Sequence, residues 1–100
     1  MSLALIFKSA ARFELEEAVA WYEEQQAGLG REFALEVFAA LERAQANPEF
    51  FARVLGRARK IRLRHFSKYS VYFAVKEDAL AVLAVFHGAR NPTELRQRLK

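Results

Sequence analysis

From residue 10 onward the hydrophobic period of this chain changes once, at Asn47-Pro48, and that change limits the folds open to it. Before it, apolar residues recur every three or four positions. Ala11, Leu15, Ala18, Val19 and Tyr22 share one face of a helix predicted over 10–27. Phe33, Val37, Ala40, Leu41 and Ala44 share one face of a second helix over 31–46, widened by Ala34 and Phe38. After the break the period becomes two. In Lys60-Ile61-Arg62-Leu63-Arg64-His65, Ile61 and Leu63 point one way and Lys60, Arg62 and Arg64 the other. Residues 69–75 are aromatic and β-branched, as strands prefer. Residues 79–86 are nearly all apolar, which marks a central strand covered on both faces.

Local punctuation agrees with this division. Leu3 to Phe7 reads as a first strand, and Ser9 after it as a helix N-cap. Gly28-Leu29-Gly30 separates two antiparallel helices, with Gly28 predicted to close the first in the left-handed conformation. The residue before a proline avoids helical geometry, so Asn47-Pro48 stops the second helix. Lys76-Glu77-Asp78 reads as a turn, and Thr93 as the cap of a short basic helix running to Lys100. The expected architecture is α+β: a two-layer β-α-α-β-β-β domain. A helical hairpin packs on a small, mainly antiparallel sheet, and a short C-terminal helix follows. The partner of the first strand is not readable from the pattern.

One hundred residues, 53% hydrophobic and 28% charged, suit a single globular domain over 1–100. No apolar run approaches the roughly 20 residues of a membrane span. The N-terminus is too short and uncharged for a signal peptide. Cysteine is absent, which excludes disulfides and thiolate metal sites and fits a cytoplasmic protein. The histidines lack metal-ligand spacing, and no phosphate-cradling glycine loop follows a strand, so neither a metal nor a cofactor is expected.

Charge is split as sharply as period. Residues 1–50 carry four basic and nine acidic residues, a balance of −5. Residues 51–100 carry twelve basic and three acidic, a balance of +9. Such asymmetry points to an acidic protein or nucleic-acid partner. The stripe Arg57, Arg59, Lys60, Arg62, Arg64 and Lys68 would carry that contact; the alternative is a solvated edge strand whose charge prevents aggregation.

A second constellation, Phe86-His87-Gly88-Ala89-Arg90-Asn91-Pro92, lies where the central strand leaves the sheet. His87 can serve as an acid or base near neutral pH, and Arg90 can grip a phosphate or carboxylate. Equally, the segment can be a structural corner, with His87 bonding backbone and Arg90 pairing with a helix carboxylate. His65 reads as a packed or strand-end residue. Trp21 and Tyr22 read as core and core margin. Glu16-Glu17 and Glu23-Glu24 read as a solvated helix face.

Taken in order, these segments resemble the RelE/ParE family of toxins from bacterial type II toxin–antitoxin systems, and more closely its ParE-like branch. The resemblance rests on Ala18…Trp21-Tyr22, Gly28-Leu29-Gly30 with Phe33, and Asn47-Pro48. It continues through Arg62…Phe66…Tyr69-Ser70-Val71-Tyr72-Phe73 and Val82 to Pro92. It implies a small cytoplasmic toxin held inactive in a hetero-oligomer by a ParD-like antitoxin. The antitoxin would lie on Ala34, Phe38 and Leu41 of the second helix, with Arg57 and Arg59. The ParE-like branch inhibits DNA gyrase, which would make Lys60, Arg62, Arg64, His87 and Arg90 the target-binding residues. The RelE-like alternative cuts messenger RNA on the ribosome, and would need His87, Arg90 and Arg64 as catalytic residues. The tail Thr93 to Lys100 has no His, Tyr or Asp, and the pattern His87…Arg90-Asn91-Pro92 is nearer the gyrase branch. A non-toxic interaction protein on the same fold is the third reading.

Overall fold

The computed structural model describes residues 3–100. The chain runs β1 (Ala4–Phe7), α1 (Ser9–Gln25), α2 (Leu29–Ala46), a 3₁₀ turn (Pro48–Phe50), β2 (Arg53–Leu55), β3 (Ala58–Arg62), β4 (Tyr69–Lys76), β5 (Ala79–His87) and α3 (Pro92–Leu99). The expected layout holds, with one strand more: β2, only three residues long, has no period to betray it. The sheet order is β1-β5-β4-β3-β2. β2 to β5 form an antiparallel meander. β1 returns beneath the helical hairpin to pair parallel with β5, from Ala4 opposite Ala79 to Phe7 opposite Val82.

The core has two sides. Ala11, Leu15 and Ala18 of α1 and Phe33, Val37, Leu41 and Ala44 of α2 pack on Ile61, Leu63, Val71, Phe73, Leu80, Val82 and Val85 of the sheet. The far face carries a smaller cluster in which Leu95 and Leu99 of α3 cover Ala58, Tyr72, Ala84 and Phe86. β5 is therefore covered on both faces, as its apolar run requires. A bulge between Tyr72 and Phe73, where Leu83 is skipped in the pairing, shifts the phase of β5 halfway along.

The caps differ from those read off the sequence. Lys8, not Ser9, is the N-cap of α1, and Ser9 is already helical. α1 ends at Gln25, with Gln26 as its C-cap, so Gly28 does not close it. Gly28 does take the left-handed conformation (φ 89°), but as the N-cap of α2. The Glu23 carboxylate accepts the Gly28 N–H at 2.9 Å and the Gly30 N–H at 3.0 Å. Glu23 is thus a cap rather than part of an idle solvated face: it bonds orphan donors and sets negative charge at a helix N-terminus. Asn91, not Thr93, caps α3; its Oδ1 accepts the Thr93 N–H at 2.9 Å, and Pro92 occupies the first turn.

Candidate functional site

The site begins with a strand that stops early. Pairing of β1 with β5 ends at Val82, where the Lys8 N–H bonds the Val82 carbonyl at 3.0 Å. Beyond that point β5 has lost its neighbour, and its outward backbone groups need other partners. Glu14 of α1 supplies one: its Oε1 accepts the Val85 N–H at 3.0 Å. Arg98 of α3 supplies another by donating to the Leu83 carbonyl at 2.7 Å. Two side chains thus replace the absent strand.

They also bind each other. Arg98 grips Glu14 with two hydrogen bonds, of 2.6 and 3.0 Å, and Arg90 donates to Glu14 at 2.6 Å. Glu14 is buried, so an unpaired carboxylate there would be costly; two guanidiniums and a backbone N–H satisfy it. The Glu14 carboxylate in turn raises the Arg98 pKa above its ordinary value, outweighing the effect of burial. Arg90 also pairs with Glu94 and lies 4.5 Å over the Phe86 ring.

A cleft of about 1180 Å³ opens beside this cluster, between α1, α2 and the connection from β3 to β4. Tyr22, Phe66 and Tyr69 line its wall: Tyr22 stacks on Phe33 at 5.1 Å, and Phe66 and Tyr69 meet these two rings edge-on or tilted at 4.9–6.0 Å. Burial raises both phenol pKa values, Tyr69 with a further push from Tyr22, so neither ring is a ready base at neutral pH. Trp21 and Leu35 form the lip, 54% and 56% exposed. Trp21 is therefore not core: it lies edge-on to Tyr22, which takes the packed position.

His87 sits at the back of the cleft, edge-on to Tyr69 at 5.0 Å. Its Nδ1 accepts the Ala89 N–H at 2.9 Å, so that nitrogen is occupied in fixing the corner. His87 bonding backbone and Arg90 pairing with a helix carboxylate are the contacts of the structural-corner reading.

The sequence-predicted residues do not form one surface. His87 and Arg90 line this cleft. Lys60 and Arg62 are exposed on the face of β3 away from the helical hairpin, where Lys60 lies 5.9 Å over the Tyr72 ring. Arg64 follows β3 and lines a second cleft with Arg43 and Phe50. On α2, Phe38 is exposed and tilted against Phe7, and Ala34 is half-buried, but Leu41 is wholly inside the core. Leu41 is thus part of the fold and offers no surface to a partner. Arg57 lies in the turn between β2 and β3, and Arg59 donates to the Phe51 carbonyl at 2.6 Å.

His65 departs from the alternation because β3 ends at Arg62. It is exposed, with its N–H and ring Nδ1 both on the Glu36 carboxylate, at 2.9 and 2.8 Å. Burial alone would raise the Glu36 pKa, but the hydrogen bonds from His65 win and hold it below its ordinary value of 4.5. The stability this pair adds is complete above about pH 4.5 and is lost as pH falls through the lowered folded value. Glu36→Gln should therefore cost stability at neutral pH, with the gap from the parent closing in acid. Urea midpoints across that range check it; a gap that stays constant would contradict it.

Two features define the class of molecule: a helical hairpin on a five-stranded sheet whose first strand pairs parallel with its last, and a corner after β5 tied back to α1. Over residues 5–92 the sequence matches the ParE toxins of type II toxin–antitoxin systems, parDE, and the chain belongs to that family. Among solved structures it is similar to a chain of the chromosomal ParDE toxin–antitoxin system of P. aeruginosa. The identity is 14%, the match covers 86% of this chain and 96% of that one, and the TM-score is 0.73, so the likeness is one of fold. No curated protein matches the chain significantly.

Proposed function

We propose that the chain is a cytoplasmic toxin that inhibits DNA gyrase and is silenced by a ParD-like antitoxin. The observation that carries this reading is the family match across 5–92. Contacts at the corner favour inhibition by binding over cleavage of RNA. Arg90 is engaged by Glu14 and Glu94, and Nδ1 of His87 is engaged by the Ala89 N–H. Cleavage needs groups free to meet substrate, and the Arg90 guanidinium and the Nδ1 of His87 already hold the corner together. What the corner does supply is a rigid end to β5, held by charge-assisted bonds, against which a large partner can dock without an ordering cost.

The test is gyrase supercoiling in the presence of the purified, folded chain. Inhibition with accumulation of cleaved DNA supports the proposal, and added antitoxin should relieve it. No effect at excess protein, together with ribosome-dependent cleavage of mRNA, would move the chain to the RelE-like reading. Growth arrest on expression should disappear in the folded double variant Arg62→Glu/Arg64→Glu if the basic stripe meets the target.

The antitoxin would cover the exposed apolar residues of the hairpin, Trp21 and Leu35 at the lip and Phe38 beside Phe7. Aromatic anchors at such sites carry much of the binding energy. Trp21→Ala should weaken the complex by about 10-fold or more while leaving the fold intact, because the indole is half in solvent. An unchanged dissociation constant would place the antitoxin elsewhere.

A further inference from the structure

The free edge of the sheet carries cations that have no partner. Among the described residues, no salt bridge within 4.0 Å joins Arg43, Arg53, Lys60, Arg62 or Arg64 to a carboxylate. Arg53 even stands directly opposite Arg59 across the β2–β3 pair, an arrangement that costs stability unless something anionic offsets it. The Lys60 N–H bonds the Ala52 carbonyl at 3.1 Å, so the segment after the 3₁₀ turn runs antiparallel along β3. Phe50 is the last residue of that 3₁₀ turn. Phe50, Arg43, Asn47 and Arg64 together line a cleft of about 890 Å³.

Phe50 is 80% exposed, against 60% for Phe13 and 54% for Trp21. It is also held in place: it lies edge-on to Phe51 at 5.9 Å, and Phe51 packs on the buried Phe73. An anchored, uncovered ring among unpaired guanidiniums needs a partner with both negative charge and flat apolar faces. We propose that this cleft, with Phe50 beside Arg43 and Arg64, binds single-stranded nucleic acid. Arg43 and Arg64 line the cleft with the ring and would hold the phosphates beside the stacked base, whereas Lys60 and Arg62 lie on the other face of β3. Phe50 would stack on an unpaired base, a contact that tolerates any sequence. A duplex keeps its bases stacked inside and leaves the ring unused. An acidic peptide without apolar side chains answers the charge but not the ring.

The test measures anisotropy of a short labelled oligo-thymidylate with the full chain, with no gyrase or antitoxin present. Its failure therefore leaves the proposed function standing, and the reverse holds too. Binding should weaken steeply with salt. Phe50→Ala should weaken it about tenfold, while Phe50→Trp should restore it. The double variant Arg43→Ala/Arg64→Ala should flatten the log–log salt slope by about 1.4, two phosphates' worth for a single strand. Absence of binding at low salt would overturn the proposal. So would equal affinity of the parent and Phe50→Ala, or tighter binding of a blunt duplex or a polyglutamate peptide.

Discussion

Glu14→Ala is expected to destabilise the domain by about 3–5 kcal/mol, a large share of the about 5–15 kcal/mol that holds a typical domain folded. The loss follows from what the carboxylate touches. Without it, the Val85 N–H has no acceptor, and Arg98, itself largely sheltered, keeps its charge without its partner. Breaking a buried pair costs more than the pair contributed, because the charge left behind is still desolvated. Arg90 suffers less, since it retains Glu94 and is more exposed. The double variant Glu14→Ala/Arg98→Ala should cost clearly less than the sum of the single changes, with a coupling of about 1–3 kcal/mol. Urea unfolding of the four proteins checks this, and strict additivity would contradict it. The damage should also be local. α3 is held by Leu95, Leu99 and Arg98, so Glu14→Ala should open it first and speed tryptic cleavage at Arg96 and Arg98 before the sheet unfolds.

Glu14 also shows where sequence reading succeeds and where it stops. The two long helices and β3 were legible because burial in each follows a single local period, and β5 because its run is apolar nearly throughout, whereas β2 is too short to show a period. Ala11, Leu15 and Ala18 mark the inner face of α1, and Glu14 lies on that same face, three residues after Ala11 and four before Ala18. A carboxylate is ordinarily assigned to solvent, so its burial is apparent only once its partners are known, and Arg90 and Arg98 lie 76 and 84 residues away. The signal was present: an acid inside an apolar stripe, in a chain whose cations crowd its other half. The pairing of β1 with β5 was hidden for a similar reason, since a parallel return across a helical hairpin leaves no turn residues to announce it. Trp21 misled in the opposite direction. An aromatic beside an apolar stripe suggests core, but Tyr22 fills the packed position and turns the indole outward. The candidate site was therefore only half readable, with His87 and Arg90 marked but not the acid that locks the corner.

Gly30→Ala should destabilise the domain by about 1–3 kcal/mol, although alanine ordinarily favours a helix over glycine by about 1 kcal/mol. Two effects of opposite sign compete here, and geometry decides between them. Gly30 is buried in the first turn of α2, where that helix presses on α1. A Cβ built there falls 2.5 Å from the Val19 carbonyl oxygen, a backbone atom inside α1 that cannot step aside alone. It also meets the Glu23 side chain at 3.0–3.1 Å, the group that caps α2 by accepting the Gly28 and Gly30 N–H donors. Relief must come from parting the helices, which loosens the packing of Phe33 and Tyr22 behind the cleft, and from displacing the cap. The same substitution at Gly28 meets no atom within 4 Å but would strain a left-handed backbone (φ 89°), so it should cost less and leave helix packing untouched. Comparing the two by urea denaturation separates close approach from backbone conformation. If Gly30→Ala proved as stable as the parent, α1 and α2 could not meet as closely as the Val19 contact requires.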